Sequence, residues 1–222
     1  METTPRSSRR LSRSRQVLVA AATAVALLTV APAAGGPVAA AAPRHSHPAD
    51  VAEAAASALQ AFDNWQHTGE PFRYIEYLNA RDRAANTAAA QLELDPAELR
   101  MAWSTTAGPK QVAVLAALTQ LGVPYRSRSS IEGQGFDCSG LTAFAFGRAG
   151  VTLVRQSRSQ INAAAPVTHE EAMAGDLVFY PGHVMMYLGV DRAIVDSPNT
   201  GNHVRMTFVS DRRSLRYGDP LG

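Results

Sequence analysis

Cysteine is nearly absent from this chain: Cys138 is the only one in 222 residues. One thiol cannot close an internal disulfide, and cysteine-built zinc sites need several, so neither a disulfide scaffold nor a zinc ribbon is available. A long uninterrupted apolar run is missing too. The uncharged stretch 17–42 is broken by Pro32, Gly35, Gly36 and Pro37 before it reaches the roughly 20 residues that span a bilayer, which makes a retained anchor the minor reading. Nor is there a large surplus of one charge, with 21 Lys and Arg against 19 Asp and Glu. What is present, 46% hydrophobic and 18% charged residues, excludes a wholly disordered or fibrous chain. At roughly 100 to 200 residues per domain it provides for one domain with extras, or two small ones.

The charge is unevenly placed. Arg6, Arg9, Arg10, Arg13 and Arg15 precede the apolar stretch, against one acid, Glu2. A basic start, an apolar run and small-residue A-x-A sites make residues 1–42 a secretory signal peptide, with cleavage expected near residues 40–42. Arg9-Arg10 also fit twin-arginine export, so the route is open. Removing this leader takes five basic residues and one acidic one, leaving 16 against 18 and a mature chain of about −2. Overall charge then supplies no argument for nucleic acid as a partner. No membrane span is expected after cleavage, and no oligomeric state follows from the sequence.

Residues 43–105 read as a helical prefix that packs on or precedes the main domain. Val51, Ala55, Leu59, Phe62 and Trp65 recur at three- and four-residue spacing over 50–66, the mark of an amphipathic helix. A second helix is expected over 74–94. Asp95-Pro96-Ala97-Glu98 then offers an N-cap, a proline at the first helical position and an acid at the third. From residue 106 to 222 the expected order is a helix ending at Gly122, a loop, a helix over 138–149 capped by Gly150, and a short polar helix near 157–164. Strands follow at 176–180, 183–189, 193–198 and 203–208, with a last short one near Arg216. Short connections between strands require antiparallel pairing, so the fold class is α+β, with helices first and sheet afterwards.

The thiol lies in Phe136-Asp137-Cys138-Ser139-Gly140-Leu141, at a loop-to-helix junction. Helix N-termini favour anions and lower cysteine pKa, which suits a nucleophile. The competing reading is a buried small hydrophobe, against which the polar neighbours Asp137 and Ser139 argue. A cysteine nucleophile needs a base, usually histidine held by a third polar group. Of six histidines, His45, His47, His67 and His169 read as solvated surface. His183 instead opens the apolar strand VMMYLG after Pro181-Gly182, a rigid mount for a base.

The motifs GVPYR, GFDCSGLTAFAF, VRQSRSQ, AGDLVFYPGHVMMYLG and VDSPNTG occur in that order over residues 108–222. In this they resemble the NlpC/p60 cell-wall cysteine peptidases. The resemblance implies a papain-like α+β fold and hydrolysis of peptidoglycan stem peptides, typically at the γ-D-glutamyl to diaminopimelate bond, without metal or organic cofactor. It implies Cys138 as nucleophile and His183 as base. It makes Tyr125 a residue that positions substrate or supports the oxyanion, and puts Arg155, Gln156 and Ser157 in a loop lining the cleft. Asp137 and Ser139 match positions that receive the substrate's amino terminus in members cutting free-ended stems. Two departures stand out. The family follows its tyrosine with a tryptophan and two glycines, whereas this chain has Arg126-Ser127-Arg128-Ser129. The third triad member is usually a histidine in an H-A-P stretch, where this chain has Asp196-Ser197-Pro198.

Asp196 is the expected third member, with His203 or a backbone carbonyl as alternatives; counting from His183 points to Val195, which cannot accept a hydrogen bond. A hairpin turning at Asp191-Arg192 would pair residues whose numbers sum to 383 and put Asp196 on the His183 side. That register leaves Asp196 opposite Tyr187, roughly 13 Å along the strand from His183, a gap that twist or a bulge would have to close. Two other functions stay open: a Cys-His amidase or acyltransferase, and a non-catalytic wall-binding module on the same fold.

Overall fold

A computed structural model of the chain describes residues 47–211 and 213–222; the expected signal peptide, 1–42, lies outside the described residues. Helix α1 (Pro48–Thr68) is capped by His47, whose ring accepts from Ala49 N while Asp50 accepts from His47 N. It ends at Gly69 in the left-handed conformation, φ 67°. Helix α2 (Pro71–Leu92) returns along α1. Small residues make the close approach possible: Ala55 and Ala58 meet Ala80, Ala84 and Ala88 in one buried cluster. In α3 (Pro96–Thr105), Asp95 accepts from Ala97 N at 2.7 Å, so the cap and proline signals predict this start correctly.

Helix α4 (Gly108–Leu118) is apolar on every side from Val112 to Leu118 and buried throughout. A helix with no polar face needs neighbours all round, and α4 has α1 on one side and α5 (Cys138–Arg148) on another. The helices before residue 106 therefore share one core cluster with the rest of the chain, from Val51 to Met206. Polar ties reinforce it. Trp103 Nε1 donates to Leu188 O at 2.9 Å, Tyr77 Oη to Gln111 Oε1 at 2.8 Å, and Thr106 Oγ1 to Ala174 O at 2.9 Å.

Between α4 and α5 the expected loop contains a small hairpin, β1 (Ser130–Ile131) and β2 (Gly135–Phe136). Strands this short carry no readable periodicity. After α6 (Ser157–Ala163) come β3 (Ala165–Val167), β4 (Leu177–Tyr180), β5 (His183–Tyr187), β6 (Ala193–Asp196), β7 (Arg205–Phe208) and β8 (Arg216–Asp219), in a sheet of order β3-β8-β4-β5-β6-β7. Every pair is antiparallel. β8 inserts between β3 and β4, an arrangement that no local pattern announces. The central strands are buried on both faces, which is why LVFY and HVMMY read as continuous apolar runs.

The β5–β6 register corrects the sequence-based expectation. Met186 pairs with Val195 and Tyr187 with Ile194, a sum of 381 rather than 383. The connection is longer than two residues: Leu188 N donates to Ala193 O, enclosing residues 189–192, with Gly189 at φ 94° and Asp191 at φ 50°. A shift of two preserves side-chain parity and brings Asp196 two residues closer to His183.

Candidate active site

Cys138 is the first residue of α5. Asp137 caps that helix, its Oδ1 accepting from Gly140 N at 2.7 Å. Gly140 has to be glycine because a Cβ there would run into the carbonyl oxygen of Ser129. The same carbonyl accepts from Asp137 N at 3.0 Å, so the loop before the hairpin is packed directly under the thiol-bearing turn. The thiol itself is half-buried.

β5 brings His183 to the thiol. His183 is 6% exposed and Asp196 3%. Nε2–H donates to Asp196 Oδ2 at 2.9 Å. The ring and the Cys138 thiol each shift the other's pKa; with Nε2 engaged by Asp196, the nitrogen left for the thiol is Nδ1. Asp196 is held from its other side by Arg205, whose Nε donates to Oδ1 at 3.1 Å. These two residues are direct cross-strand partners on β6 and β7. Ser197 Oγ donates to Phe136 O at 2.7 Å in a buried contact, tying the end of β6 to the residues just before Cys138.

The electrostatics favour a charged pair. Burial pushes the Cys138 thiol up, but hydrogen bonds from His183 and the backbone of Val184, with the charge of His183, more than offset it, and its pKa lies below the ordinary value. Burial pulls His183 down, yet the hydrogen bonds and negative charges of Asp196 and Cys138 prevail and raise it to about 9. Both shifts run toward a thiolate facing an imidazolium.

The remaining sequence-predicted residues lie around this relay. Tyr125 bridges Phe136, and burial, followed by the charges of Asp137 and Cys138, raises its phenol pKa. Arg155 grips Asp137 with both arms, Nη2 to Oδ2 at 2.7 Å and Nη1 to Oδ1 at 2.9 Å, and its Nη1 also donates to Ser139 Oγ at 2.9 Å. The two positions that the resemblance assigns to a substrate amino terminus are thus already engaged by a guanidinium. Ser157 opens α6 and lines the same cavity as Arg155. His203 is exposed and pairs its backbone with Pro124, while Val195 is buried in the main core. Among the described residues no cluster of three or more His, Cys, Asp or Glu side chains is arranged to hold a metal.

Two supports escaped sequence reading. Arg205 pairs with Asp196 across an eight-residue connection, 197–204, whose length no local pattern fixes. Gln160, fully buried, donates Nε2 to Ser139 O and Val154 O and accepts from Thr142 Oγ1. It fastens the Arg155 loop to α5, and nothing local marks it apart from its polar type.

Residues 122–216 match the model of the NlpC/P60 family. The chain carries an NlpC/P60 domain. Its similar relatives include the bifunctional muramidase/DL-endopeptidase CwlT of Bacillus subtilis, 32% identical over 61% of this chain and 40% of that protein. A probable endopeptidase of Corynebacterium glutamicum is 39% identical over 48% of this chain and 51% of its own length. The chain thus spans about half or less of these curated relatives. Among solved structures, the peptidoglycan hydrolase RipB of Mycobacterium tuberculosis aligns at 26% identity and a TM-score of 0.46, covering 78% of this chain and 83% of that one. The NlpC/P60 match begins at Gly122, after α4, and encloses Cys138, His183, Asp196 and Arg205.

Proposed function

We propose that this chain is an exported cysteine-type peptidoglycan hydrolase that cleaves amide bonds in stem peptides, with the γ-D-glutamyl to diaminopimelate bond as its target. The observation that carries the reading is the buried His183–Asp196 hydrogen bond coupled to Cys138, with thiol and imidazole pKa values each displaced toward that group's own charged form. The relatives' names support the cell wall as the place of action and a peptide as the substrate.

In this reading the Cys138 thiolate attacks the amide carbonyl carbon. The oxyanion that forms is met by the backbone N–H of Cys138, one of the helix-start donors without an intrahelical acceptor. His183, protonated, gives its proton to the departing amine as the C–N bond breaks, leaving a thioester on Cys138. The neutral imidazole then takes a proton from water, whose oxygen attacks the thioester; the acid product leaves and the thiolate returns. Asp196 keeps the ring oriented and stabilises its charged form.

Incubating the protein with defined muropeptides under reducing conditions, with products read by mass, tests this. Cleavage by the wild type and none by Cys138→Ala supports it. If the wild type leaves every muropeptide intact, the hydrolase reading is to be abandoned in favour of a wall-binding module. A product heavier by an added amine identifies an acyltransferase on the same relay.

A further inference from the structure

His183 is held by its two nitrogens: Nε2–H donates to Asp196 on β6 at 2.9 Å, and Nδ1 is left for Cys138 at the start of α5. Contacts at the two nitrogens leave an imidazole free to rock about the line joining them. A base that rocks offers its proton in the wrong direction for part of the time, and misalignment of this kind slows the chemical step. Holding the ring still takes a group against its side.

Tyr180 supplies it. On β4 it is the direct cross-strand partner of His183, across the two-residue turn Pro181-Gly182, in which Gly182 has φ 91°. Directly paired residues share a face of the sheet, and the two ring centroids lie 5.2 Å apart at an angle of 41°. A turn this short fixes the pairing, so the tyrosine cannot slide along the histidine. Tyr180 also packs on the apolar cluster of Val178, Met185 and Tyr187. The tyrosine is held in turn by Arg213, on the connection between β7 and β8, whose guanidinium carbon lies 4.2 Å from the Tyr180 ring centroid. Contacts therefore run from Arg213 through Tyr180 to the base.

The charged groups facing the imidazole are Cys138 from α5 and Asp196 from β6, the latter bound by Arg205 of β7. Tyr180 adds an aromatic surface from β4, and a ring within about 6 Å of a cation favours the charged state through its quadrupole.

We propose that Tyr180 is a positioning residue for the base, its ring the wall that sets the His183 imidazole between Asp196 and Cys138, with Arg213 as the clamp on that wall. The proposal deepens the hydrolase reading and rests on it for turnover, while the thiol reports the geometry of the base by itself.

Alkylation of Cys138 by iodoacetamide in the full chain, followed against pH, reads the base without peptide turnover. Salt of about 1 M suppresses plain charge effects beyond roughly 3 Å. Above the His183 pKa of about 9 the thiol ionises without help from an imidazolium, so the ratio of acid-side to alkaline-side rates cancels changes in access. Tyr180→Leu loosens His183, which then supports the thiolate less, and this ratio falls about threefold or more, the range of a lost ring contact. Tyr180→Phe keeps the ring and the wild-type ratio. Arg213→Gln, at an exposed position, lowers the ratio about twofold. An unchanged ratio in Tyr180→Leu, or an equal fall in Tyr180→Phe, overturns the proposal. An unchanged ratio in Arg213→Gln removes the clamp, and overturns the whole proposal should near-ultraviolet circular dichroism show that Tyr180→Leu does not fold.

The second arm measures kcat and KM on a stem peptide. Tyr180→Leu lowers kcat about tenfold with KM within about twofold of the wild type, and Tyr180→Phe recovers kcat. A raised KM with unchanged kcat puts Tyr180 on the substrate and overturns the positioning role. A wild type that cleaves no peptide overturns the hydrolase reading, and the alkylation ratio still decides Tyr180.

Discussion

His183 Nε2 lies 2.9 Å from Asp196 Oδ2 although the two residues are not paired across the β5–β6 ladder. By extension of the observed register Asp196 falls opposite Met185, two residues or roughly 6.5 Å from His183 along the strand, a gap that side-chain length spans. The carboxylate helps raise the imidazole to about 9.

A pH profile follows from that relationship. His183 must be protonated to release the amine, so kcat/KM falls as pH rises through about 9. On the acid side it falls where the thiolate takes up a proton, below the ordinary thiol value. Asp196→Asn removes a partner that raises His183, so the alkaline limb moves to lower pH and thiolate content near neutrality drops. Rates across pH, with thiolate absorbance as a second readout, check this; an alkaline limb unmoved in Asp196→Asn contradicts it.

Arg205 acts on the base through Asp196, as a positioning residue. Its side chain is 51% exposed, so water and salt screen it and its effect on stability is small. Arg205→Gln frees one oxygen of Asp196 to rotate. The expected result is a kcat several-fold lower with KM nearly unchanged. The alkaline limb moves upward, opposite to Asp196→Asn, because a positive charge near the imidazolium has been removed. A limb moving the other way would count against this role.

Gly140→Ala places a methyl group against the Ser129 carbonyl, which is backbone and cannot swing aside. Overpacking of this kind destabilises by about 1–3 kcal/mol. The strain falls on the turn carrying Cys138, so alkylation of the thiol changes along with the denaturation midpoint. Gly147→Ala on the same helix, where nothing lies within 4 Å of the added Cβ, is the control: it leaves alkylation unchanged and does not lower the midpoint, since alanine favours a helix over glycine.

Lys110 is buried with its Nζ 2.7 Å from Asp176 and 2.8 Å from Asp219, linking α4 to the β4 approach and to β8. Burial raises the Asp176 pKa, and Lys110 opposes that rise. Lys110→Ala leaves Asp176 buried without its cation and destabilises by about 3–5 kcal/mol near neutral pH. A carboxyl whose folded-state pKa lies above its unfolded value weakens the fold where it must ionise. The deficit of the variant, measured by urea unfolding, accordingly shrinks toward pH 4.

Much of this was legible along the chain. Apolar spacing located α1 and α2, Asp95-Pro96 started α3, and Gly150, at φ 77°, marked the end of α5. The larger strands were visible from their apolar runs. The lone thiol at a helix start and the histidine opening β5 stood out because each is an unusual residue type for its local setting. The hairpin β1–β2 and the three-residue β3 were not visible, since a two- or three-residue strand has no period to detect.

Sequence alone determined the helices and the longer strands, and the parity that keeps Asp196 on the His183 side, because both depend on interactions between near neighbours. Tertiary structure decided the rest. The length of the 189–192 turn set the β5–β6 register, chain reversal brought Arg205 to Asp196, and the return of residue 155 to residue 137 placed a guanidinium beside the nucleophile. The physical reason is the range of the forces involved. Periodicity and capping act within a few residues, whereas ion pairs and buried hydrogen bonds need only a few ångströms in space, whatever the separation along the chain.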